Sequence, residues 1–466
     1  MKKQSGIILK RYLFQAIVLS SLLLITGCGN DSPVETQGDQ DKLSEDSLLT
    51  LVQHNTFQYF WDGAEPNSGL ARERYHVDGV YPENDKNVVT TGGSGFGVMA
   101  IIVGMERGFI TYEEGLDRFE KIVSFLEDAD RFHGAWPHWM YGETGKVKPF
   151  GEKDNGGDLV ETAFMAQGLI AARQYLRDGN ERAQELAAKM DELWREIEWD
   201  WYRRGGDADV LYWHWSPEYG WEMDFPLEGY NETMITYIMA ASSPTHGIPA
   251  KVYHEGWARG GDIDTSVTTY GHELQLKHNG AYKYGGPLFW AHYSWMGLDP
   301  RGLEDRYANY WKENVNHTLI NRQWCVLNPN DYAGYGPGLW GLTASYTAGE
   351  DGGVGYAAHH PGEDSDLGVI TPTAALSSMP YTPEKSMEVI ENLYYNYGNK
   401  VFGKYGFYDA MSPEKNFFPS RYLAIDQGPI VVMIENHRSN LIWDLFMSAP
   451  EIKNGLNKLG FESPHL

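Results

Sequence analysis

Residues 93–105 read GSGFGVMAIIVGM, and residues 158–172 read DLVETAFMAQGLIAA. Both stretches carry small and apolar residues on every side of a helical turn, and a helix of that kind is buried. Between them, Tyr112–Asp128 has apolar residues only at three- and four-residue steps, which is typical of a helix with one buried face. This order predicts an inner helix followed by an outer helix that packs around it.

The same alternation recurs along the chain at intervals of roughly 60 to 80 residues. Further inner segments begin near residues 230, 286, 366 and 426, and outer helices are predicted at Glu181–Trp199, Gly302–Asn314 and Pro383–Tyr395. Six such pairs predict an all-α fold, an (α/α)6 barrel. Two β-like runs, Val210–Trp215 and Val401–Tyr408, predict short β-hairpins in the loops that line a cleft.

The first 27 residues resemble a targeting segment, with basic residues followed by an apolar stretch and no acidic residue. This segment ends Ile25-Thr26-Gly27-Cys28, the pattern of a bacterial lipoprotein signal, so residues 1–27 are predicted to be removed and Cys28 to be lipidated. An ordinary secretory peptide with a chance cysteine is the alternative. Residues 28–46 are polar and acidic and predict a flexible tether, and residues 47–466 predict one barrel domain.

These features predict a lipid-anchored protein of a Gram-negative cell envelope. It is expected at the outer membrane, facing either the periplasm or the medium, with Cys28 as its one membrane contact. The chain has 64 acidic and 38 basic residues, which argues against nucleic acid as a partner because phosphate binding depends on Lys and Arg. A monomer is expected.

Aromatic residues are interleaved with His in two predicted loops, residues 135–141 (AWPHWMY) and 212–215 (YWHW). Sugar rings lie flat on aromatic faces, and their hydroxyls bind carboxylates, so this mixture indicates a glycan cleft. Core packing is the alternative for any single Trp. The residues predicted to bind substrate from these loops are Trp136, His138, Trp139, Trp213 and His214.

Carboxylates gather at three predicted helix starts. Asp154, Asp158 and Glu161 lie in residues 154–162 (DNGGDLVET), Glu232 lies in residues 229–233 (GYNET), and Asp426 lies in residues 425–429 (IDQGP). Asp158 fits a helix cap as well as a catalytic role. Glycoside hydrolysis needs a carboxylic acid and a second carboxylate on the other side of the scissile bond, and separate loops could supply such a pair.

Other catalytic signatures are weak. The run from His272 lacks the second His of a zinc-protease motif, and residues 93–97 lack the context of a dinucleotide site. We therefore expect neither a metal nor another cofactor in catalysis.

The chain also resembles a known family over most of its length. The matching stretches are residues 135–139 (AWPHW), 154–164 (DNGGDLVETAF), 229–233 (GYNET), 340–345 (WGLTAS) and 424–438 (AIDQGPIVVMIENHR). Together they are similar to the glycoamylase-like family of bacterial glycoside hydrolases, specifically glycoside hydrolase family 144, the endo-β-1,2-glucanase group and its sophorose-releasing relatives.

That resemblance implies an (α/α)6 barrel, no metal cofactor, and inverting hydrolysis of β-1,2-glucan or sophorooligosaccharides to sophorose or short products. Family catalytic acids match Asp154, Asp158, Glu161 and Glu232. We expect Glu232 to be the general acid because partial burial would keep it protonated, with Asp154 or Glu161 as base and Asp158 orienting one of them. The family stretches add as substrate-binding residues Trp340, Asp426, Gln427 and Arg438.

Two alternatives stay open at this stage. One is a different carbohydrase on the same scaffold, such as an α-glucan glucoamylase or a polysaccharide lyase, since one fold hosts many chemistries. The other is a glycan-binding surface lipoprotein without catalysis. Endo and disaccharide-releasing action are not distinguished by sequence.

Overall fold

The computed structural model describes residues 42–349 and 353–466. One compact unit runs from Ser44 to Leu466. The predicted leader, Cys28 and nearly all of the predicted tether lie outside the described residues. None of the helices within the described part is both long and apolar enough to cross a membrane.

Thirteen α-helices occur in the described residues, numbered here in chain order. They are α1 Glu45–Trp61, α2 Thr91–Glu106, α3 Tyr112–Asp128, α4 Leu159–Leu176, α5 Glu181–Arg195, α6 Met234–Ser242, α7 Ala250–Val252, α8 Tyr310–Leu327, α9 Pro372–Leu376, α10 Pro383–Val401, α11 Ala424–Ser439, α12 Leu441–Met447 and α13 Pro450–Leu459.

Strands within the same residues are short and form small sheets. They are β1 Arg74–His76, β2 Val88–Thr90, β3 Trp139–Tyr141, β4 Val147–Lys148, β5 Gly157–Asp158, β6 His214–Trp215, β7 Asp264–Thr269, β8 His272–Leu276, β9 Ala344–Ala348, β10 Val354–Ala358, β11 Phe402–Gly403, β12 Gly406–Phe407 and β13 Arg421–Leu423. The antiparallel pairs are β1 with β13, β2 with β3, β3 with β4, β5 with β6, β7 with β8, β9 with β10 and β11 with β12.

The helices form an α/α toroid, as the alternation of helix types predicted. Helices α2, α4, α6 and α11 are buried along nearly their whole length, whereas α3, α5 and α10 bury one face. The innermost pair, α2 and α4, crosses at glycines: a Cβ on Gly95 would fall 2.3 Å from the carbonyl oxygen of Phe164. Close approach of these two backbones brings their N-terminal ends together.

Some predicted elements are wrong in detail. The outer helix expected at Gly302–Asn314 instead begins at Tyr310, because Asn309 caps it by accepting a hydrogen bond from the Lys312 amide at 3.0 Å. The segment expected as an inner helix from Gly286 consists of two short 3₁₀ turns, Leu288–Ala291 and Tyr293–Trp295. Of the two expected hairpins, Val401–Tyr408 contains the β11–β12 hairpin.

Three inner helices begin directly after a short strand: α2 follows β2, α4 follows β5, and α11 follows β13. The partners of these strands are loop segments, so each pairing fixes the N-terminal end of an inner helix against a loop. The hairpin predicted at Val210–Trp215 is wrong: this run contributes the single strand β6, which pairs with β5 from another loop and sets His214 opposite Asp158. Loop side chains and helix starts therefore meet at one end of the toroid.

Candidate active site

A cavity of about 370 Å³ lies where these helix starts and loops meet. Three carboxyl groups line it, from Glu73, Glu161 and Glu232. Eight aromatic side chains form much of the remaining wall, namely Trp139, Phe150, Phe164, Trp213, Phe289, Tyr293, Tyr346 and Tyr356. The cavity thus combines aromatic faces with carboxyl groups, the mixture that the loop sequences predicted for a glycan cleft.

Asp158 caps helix α4. Its Oδ1 accepts hydrogen bonds from the backbone amides of Val160 at 3.0 Å and Glu161 at 2.9 Å, and the indole of Trp213 donates to the same carboxylate at 2.9 Å. Burial favours the neutral acid, but hydrogen bonds from His138 and His214 hold the pKa of Asp158 well below its usual range. Asp158 is fully buried and does not line the cavity.

His138 and His214 flank this carboxylate. His138 Nδ1 lies 3.0 Å from Asp158 Oδ2, and His214 Nε2 lies 3.3 Å from Asp158 Oδ2 and 3.2 Å from Asp154 Oδ2. Burial opposes protonation of both rings, yet the surrounding carboxylates raise the pKa of His138 to about 10 and that of His214 to about 9. With both rings protonated, the cluster pairs two imidazolium ions with two aspartates.

Glu161 lies three residues further along, in the first turn of α4, and points into the cavity. One carboxylate oxygen accepts hydrogen bonds from the Gly92 amide at 2.7 Å and from the Thr90 hydroxyl at 3.1 Å. Gly92 is in the first turn of α2, so the carboxylate satisfies an otherwise unpaired amide at a positive helix end. Burial raises the pKa of Glu161, and the nearby His138 cation opposes that rise.

Glu232 lies just before α6 and has a different environment. Its backbone is fixed, since the Ser294 hydroxyl donates to its carbonyl oxygen at 2.6 Å and the following Thr233 amide donates to the Asn231 side chain at 3.0 Å. Burial raises the pKa of the Glu232 carboxyl to about 7. This side chain can therefore hold a proton near neutral pH while facing the cavity.

Aromatic side chains of the cavity come from two hairpins in particular. Trp139 on β3 makes an edge contact with Phe150, with ring centroids 4.8 Å apart, and Phe150 stacks on His138 at 4.3 Å. Tyr346 and Tyr356 face each other across the β9–β10 register. Phe150 and Tyr356 are 53% and 58% exposed, so these rings have free faces that a ligand can cover.

Sequence reasoning missed Glu73 and Arg74, which line the cavity and form an ion pair. Burial raises the pKa of Glu73, and Arg74 opposes the rise. The Arg74 guanidinium lies 5.4 Å from the ring centroid of Trp139, and β1 pairing with β13 holds the segment in place. No local motif marks these residues, because the pairing joins positions nearly 350 residues apart.

The positions of four residues contradict the prediction that they bind substrate. Trp136 and Trp340 are fully buried core residues, so their rings have no face to offer a ligand. Gln427 is buried and donates to the Tyr405 carbonyl at 2.8 Å. Arg438 lies near the C-terminal end of α11, roughly 20 Å along the helix from its start, and donates to Thr50 and Asp46 of the α1 region.

The remaining predicted residues lie at or behind the cavity wall. Asp426 is buried, and its Oδ1 accepts a hydrogen bond from Tyr293 at 3.3 Å, so it supports a cavity residue. Burial raises its pKa, and the neighbouring Asp409 adds to this rise. His214 and Asp154 are close behind His138. His138, Trp139 and Trp213 line the cavity itself.

One group of side chains has the composition of a metal site. Single ligand atoms from His138, Asp154, Asp158 and His214 all lie within 4.8 Å of one another. Mixed nitrogen and carboxylate donors suit zinc. Local motifs do not mark this group, because its four residues come from three separate loops.

Comparison with known proteins identifies relatives across this chain. The Glycoamylase family model, described as "Putative glucoamylase", matches residues 224–450. The structure of an endo-β-1,2-glucanase from Chitinophaga pinensis, in complex with sophorotriose and glucose, is 66% identical, with a TM-score of 0.89, and the alignment covers 91% of this chain and all of that one.

Two other relatives differ in length or identity. A curated exo β-1,2-glucooligosaccharide sophorohydrolase (non-reducing end) from Parabacteroides distasonis is 45% identical over 435 residues, which is 90% of this chain but 58% of that protein. This chain thus spans less than two thirds of that relative. An endo-β-1,2-glucanase from Talaromyces funiculosus with sophorose is 14% identical with a TM-score of 0.63, covering 88% of this chain and 90% of that one, and shares the fold.

Identity of 66% across the whole of a solved glucanase exceeds what a shared fold alone would give, and the quoted motifs and the toroid agree with it. The chain therefore belongs to the glycoamylase-like family of bacterial glycoside hydrolases, glycoside hydrolase family 144.

Proposed function

We propose that this protein is an inverting glycoside hydrolase that cleaves β-1,2-glucan or sophorooligosaccharides and releases sophorose or short β-1,2-linked products. The observation that carries the proposal is the pair of carboxyl groups in one aromatic-lined cavity: burial raises the pKa of Glu232 to about 7, while Glu161 accepts hydrogen bonds from Gly92 and Thr90. Relatives at 66% and 45% identity are named for action on β-1,2-linked glucans.

Glu232 is proposed as the general acid. A glycosidic oxygen is a poor leaving group until it is protonated, so the acid must carry its proton at working pH. Burial raises the pKa of Glu232 to about 7, and the backbone contacts to Ser294 and Asn231 fix the position from which the carboxyl reaches the cavity.

Glu161 is proposed as the base that activates water. Its oxygens face the cavity, and the Gly92 amide, the Thr90 hydroxyl and the His138 ring 4.0 Å away all favour the carboxylate. Asp154, the other candidate base, does not line the cavity and lies behind His138, so it is proposed to hold His214. Asp158 orients His138 and the first turn of α4.

The aromatic wall is proposed to hold the sugar rings. Trp139, Phe150 and Tyr356 present faces on which the C–H surface of a glucosyl ring can lie. The paired Glu73 and Arg74 supply an acceptor and a donor for hydroxyl groups beside Trp139. A cavity of about 370 Å³ falls in the range of small-molecule sites, which suits a short segment of a glucan chain.

Incubation of the purified chain with linear β-1,2-glucan tests this proposal. Anomeric proton NMR at early times should show the α-anomer of the new reducing end, and chromatography should show sophorose or short oligosaccharides. The size distribution at low conversion separates endo cleavage from stepwise release of disaccharide. First appearance of the β-anomer would contradict inversion and would require a covalent glycosyl-enzyme.

A panel of β-1,3-, β-1,4- and α-1,4-glucans tests the competing activities on the same scaffold. Cleavage of the α-1,4-glucan alone would establish a glucoamylase, and an unsaturated product from a uronate polymer would establish a lyase. A glycan-binding protein would leave all polymers intact while still showing saturable binding of β-1,2-linked oligosaccharides by calorimetry.

The location is a separate proposal, supported by the lipoprotein-type sequence that ends at Cys28. We propose that Cys28 carries lipid and anchors a monomeric enzyme at the outer membrane of a Gram-negative cell. In a Gram-negative host, wild-type protein should take up a labelled fatty acid, and Cys28→Ser should abolish that label. Cys325→Ser is the matched control, since Cys325 is a buried core residue. Light scattering of detergent-free Cys28→Ser protein gives the mass of the assembly.

A further inference from the structure

The indole N–H of Trp290 is a buried donor beside the active-site cavity. Trp290 lies in the 3₁₀ turn Leu288–Ala291, next to the cavity residue Phe289, and its side chain is 9% exposed. Its Nε1 atom makes no hydrogen bond of good geometry with any group in the described part of the chain. A buried donor that has left water without gaining an acceptor destabilises a fold, so its retention in this place needs a reason.

Packing fixes the direction of this N–H. A Cβ on Gly286 would collide with the six-membered ring of Trp290, so the missing side chain there makes room for the indole. The Trp295 indole donates to the Trp290 carbonyl at 3.3 Å, and the His278 ring packs against Trp290 with centroids 5.8 Å apart. Burial lowers the pKa of His278 to about 3, so this neighbour stays neutral at ordinary pH.

The acceptor that the Trp290 N–H faces is the carboxyl group of Glu232. Burial raises the pKa of Glu232, and the indole N–H acts in the opposite direction because it favours the carboxylate. The same segment reaches this residue a second time, since the Ser294 hydroxyl donates to the Glu232 carbonyl at 2.6 Å and accepts from the Ile235 amide at 3.1 Å. Residues 290–294 therefore contact both the side chain and the backbone of Glu232.

We propose that Trp290 is a positioning residue that aims the Glu232 carboxyl and donates to the carboxylate that forms during catalysis; this inference rests on the proposed function. In that step the proton passes from Glu232 to the glycosidic oxygen, the C1–O bond breaks as water adds to C1, and the base takes the proton of that water. Glu232 becomes negative only as its proton leaves. A donor that is unpaired beforehand and paired afterwards stabilises the transition state more than the ground state.

Other titratable groups around Glu232 act against the charged form. The carboxyl groups of Glu161 and Asp158, at the start of α4, raise the pKa of Glu232. Burial holds the pKa values of the Tyr293 and Tyr356 phenols well above their usual range, so both stay neutral between pH 5 and pH 9. The buried indole N–H therefore offsets a surrounding that otherwise disfavours the carboxylate.

Trp290→Phe keeps a ring beside Gly286 and removes the N–H. Loss of this donor raises the pKa of Glu232, so the alkaline fall of kcat/KM on a soluble β-1,2-linked oligosaccharide should move to higher pH by about half a unit or more. The value of kcat should fall roughly tenfold. Trp199→Phe is the matched control, because the Trp199 indole is also buried without a partner among the described residues but lies in the loop after α5. Its profile should be that of the parent.

A second measurement needs neither activity nor the Trp290 variant. Indole N–H signals in ¹H–¹⁵N NMR spectra of the parent are followed from pH 5 to pH 9, and one of them should titrate with the pKa of Glu232, about 7. Glu232→Gln should abolish that titration, and Trp290→Phe, where it folds, should remove the signal.

Two outcomes would overturn the proposal. One is the absence of any indole signal that titrates with Glu232. The other is a folded Trp290→Phe protein whose pH profile is that of the parent, even if kcat falls, because a packing defect alone would give that result. A titrating indole in a chain that cleaves no β-1,2-glucan would support the contact and contradict the proposed hydrolysis, so the two failures are distinct.

Discussion

Two acidic side chains at helix starts, Asp158 before α4 and Glu232 before α6, have opposite surroundings. Asp158 accepts hydrogen bonds from two backbone amides and an indole and lies beside two imidazoles. Glu232 faces the cavity with no cation at hydrogen-bonding distance among the described residues, and burial raises its pKa to about 7. Two acidic residues at helix starts thus differ in charge state: one is held as a carboxylate, and the other can carry a proton near neutral pH.

The proposed base, Glu161, resembles Asp158 in accepting hydrogen bonds from donors at a helix start, whereas the proposed acid is Glu232. Two carboxyl groups in equivalent surroundings would titrate together, whereas environments that push their pKa values apart assign the roles. A carboxylate that is held by amides and imidazoles stabilises the fold, whereas a buried carboxyl group with a raised pKa can exchange a proton with substrate. The comparison therefore predicts that substitutions at the two helix starts damage different properties.

The largest effect is expected for Glu232→Gln. Loss of the general acid should lower kcat on β-1,2-glucan by about 10²- to 10⁴-fold, since that is the usual contribution of a positioned proton donor. The amide keeps the shape of the side chain, so binding of oligosaccharide and the unfolding temperature should change little. Steady-state kinetics and calorimetry measure the two properties separately.

Glu228→Gln is the matched control for this prediction, because Glu228 belongs to the same loop but does not line the cavity and is only loosely paired with Arg259 at 3.6 Å. It should retain parental activity. Full activity in Glu232→Gln would remove Glu232 from the mechanism.

Asp158→Asn should act mainly on stability. Removing one partner from a buried charge cluster leaves the others uncompensated, which typically costs about 3 to 5 kcal/mol in free energy of unfolding. The exposed Asp117, which pairs with Arg182 at the surface, provides a control, since Asp117→Asn should cost less than about 1 kcal/mol. Thermal and denaturant unfolding give the comparison. An Asp158→Asn protein as stable as Asp117→Asn would show that the cluster is not a stabilising element.

The pH profile tests the state of Glu232 directly. A general acid is active when protonated, so kcat/KM should fall about tenfold for each pH unit above its pKa of about 7. Rates should be followed with a soluble β-1,2-linked oligosaccharide from pH 5 to pH 10, in a range where the protein stays folded. A rate that holds constant to pH 9 would assign the proton donation to another group.

Much of the fold could be predicted from helix periodicity. Tyr112–Asp128 matches α3, because its apolar stripe is local information and Thr111 and Glu114 form a reciprocal cap. The segment after Gly286 could not be predicted, since its buried residues form short turns whose backbone is held by distant partners, such as the Leu342 carbonyl that accepts from the Leu288 amide. The apolar composition of this segment predicts that it is buried, but it does not predict the backbone conformation.

The site was predicted unevenly for a similar reason. Glu161 and Glu232 could be predicted because motif and helix start coincide. Trp136 was wrongly placed in the cleft, since its indole packs inward and donates to the Leu126 carbonyl at 3.3 Å, and sequence does not tell an inward ring from an outward one. Glu73 was missed because it reaches the cavity through a pairing with a strand far along the chain.

The smallest effect is expected for Thr90→Val. This variant tests whether Glu161 stabilises the fold, as expected for Asp158, or acts on substrate, as expected for Glu232. The Thr90 hydroxyl donates to Glu161 Oε2, and one hydrogen bond to a carboxylate contributes about 1.5 to 3 kcal/mol. Because the Gly92 amide still holds the same oxygen, we expect the lower part of that range, a fall in kcat of roughly tenfold with KM unchanged.

Thr90→Ser keeps the hydroxyl and should restore kcat, a result that a packing defect would not give. Thr91→Val is the matched control, because the neighbouring Thr91 hydroxyl donates to the Pro137 carbonyl and not to Glu161. Equal losses in Thr90→Val and Thr91→Val would mean that the segment before α2 acts only by supporting the loop. A loss of kcat that is confined to Thr90→Val and rescued by Thr90→Ser would place Glu161 with Glu232 among the residues that act on substrate. If Glu161 only stabilised the fold, Thr90→Val would lower the free energy of unfolding and leave kcat unchanged.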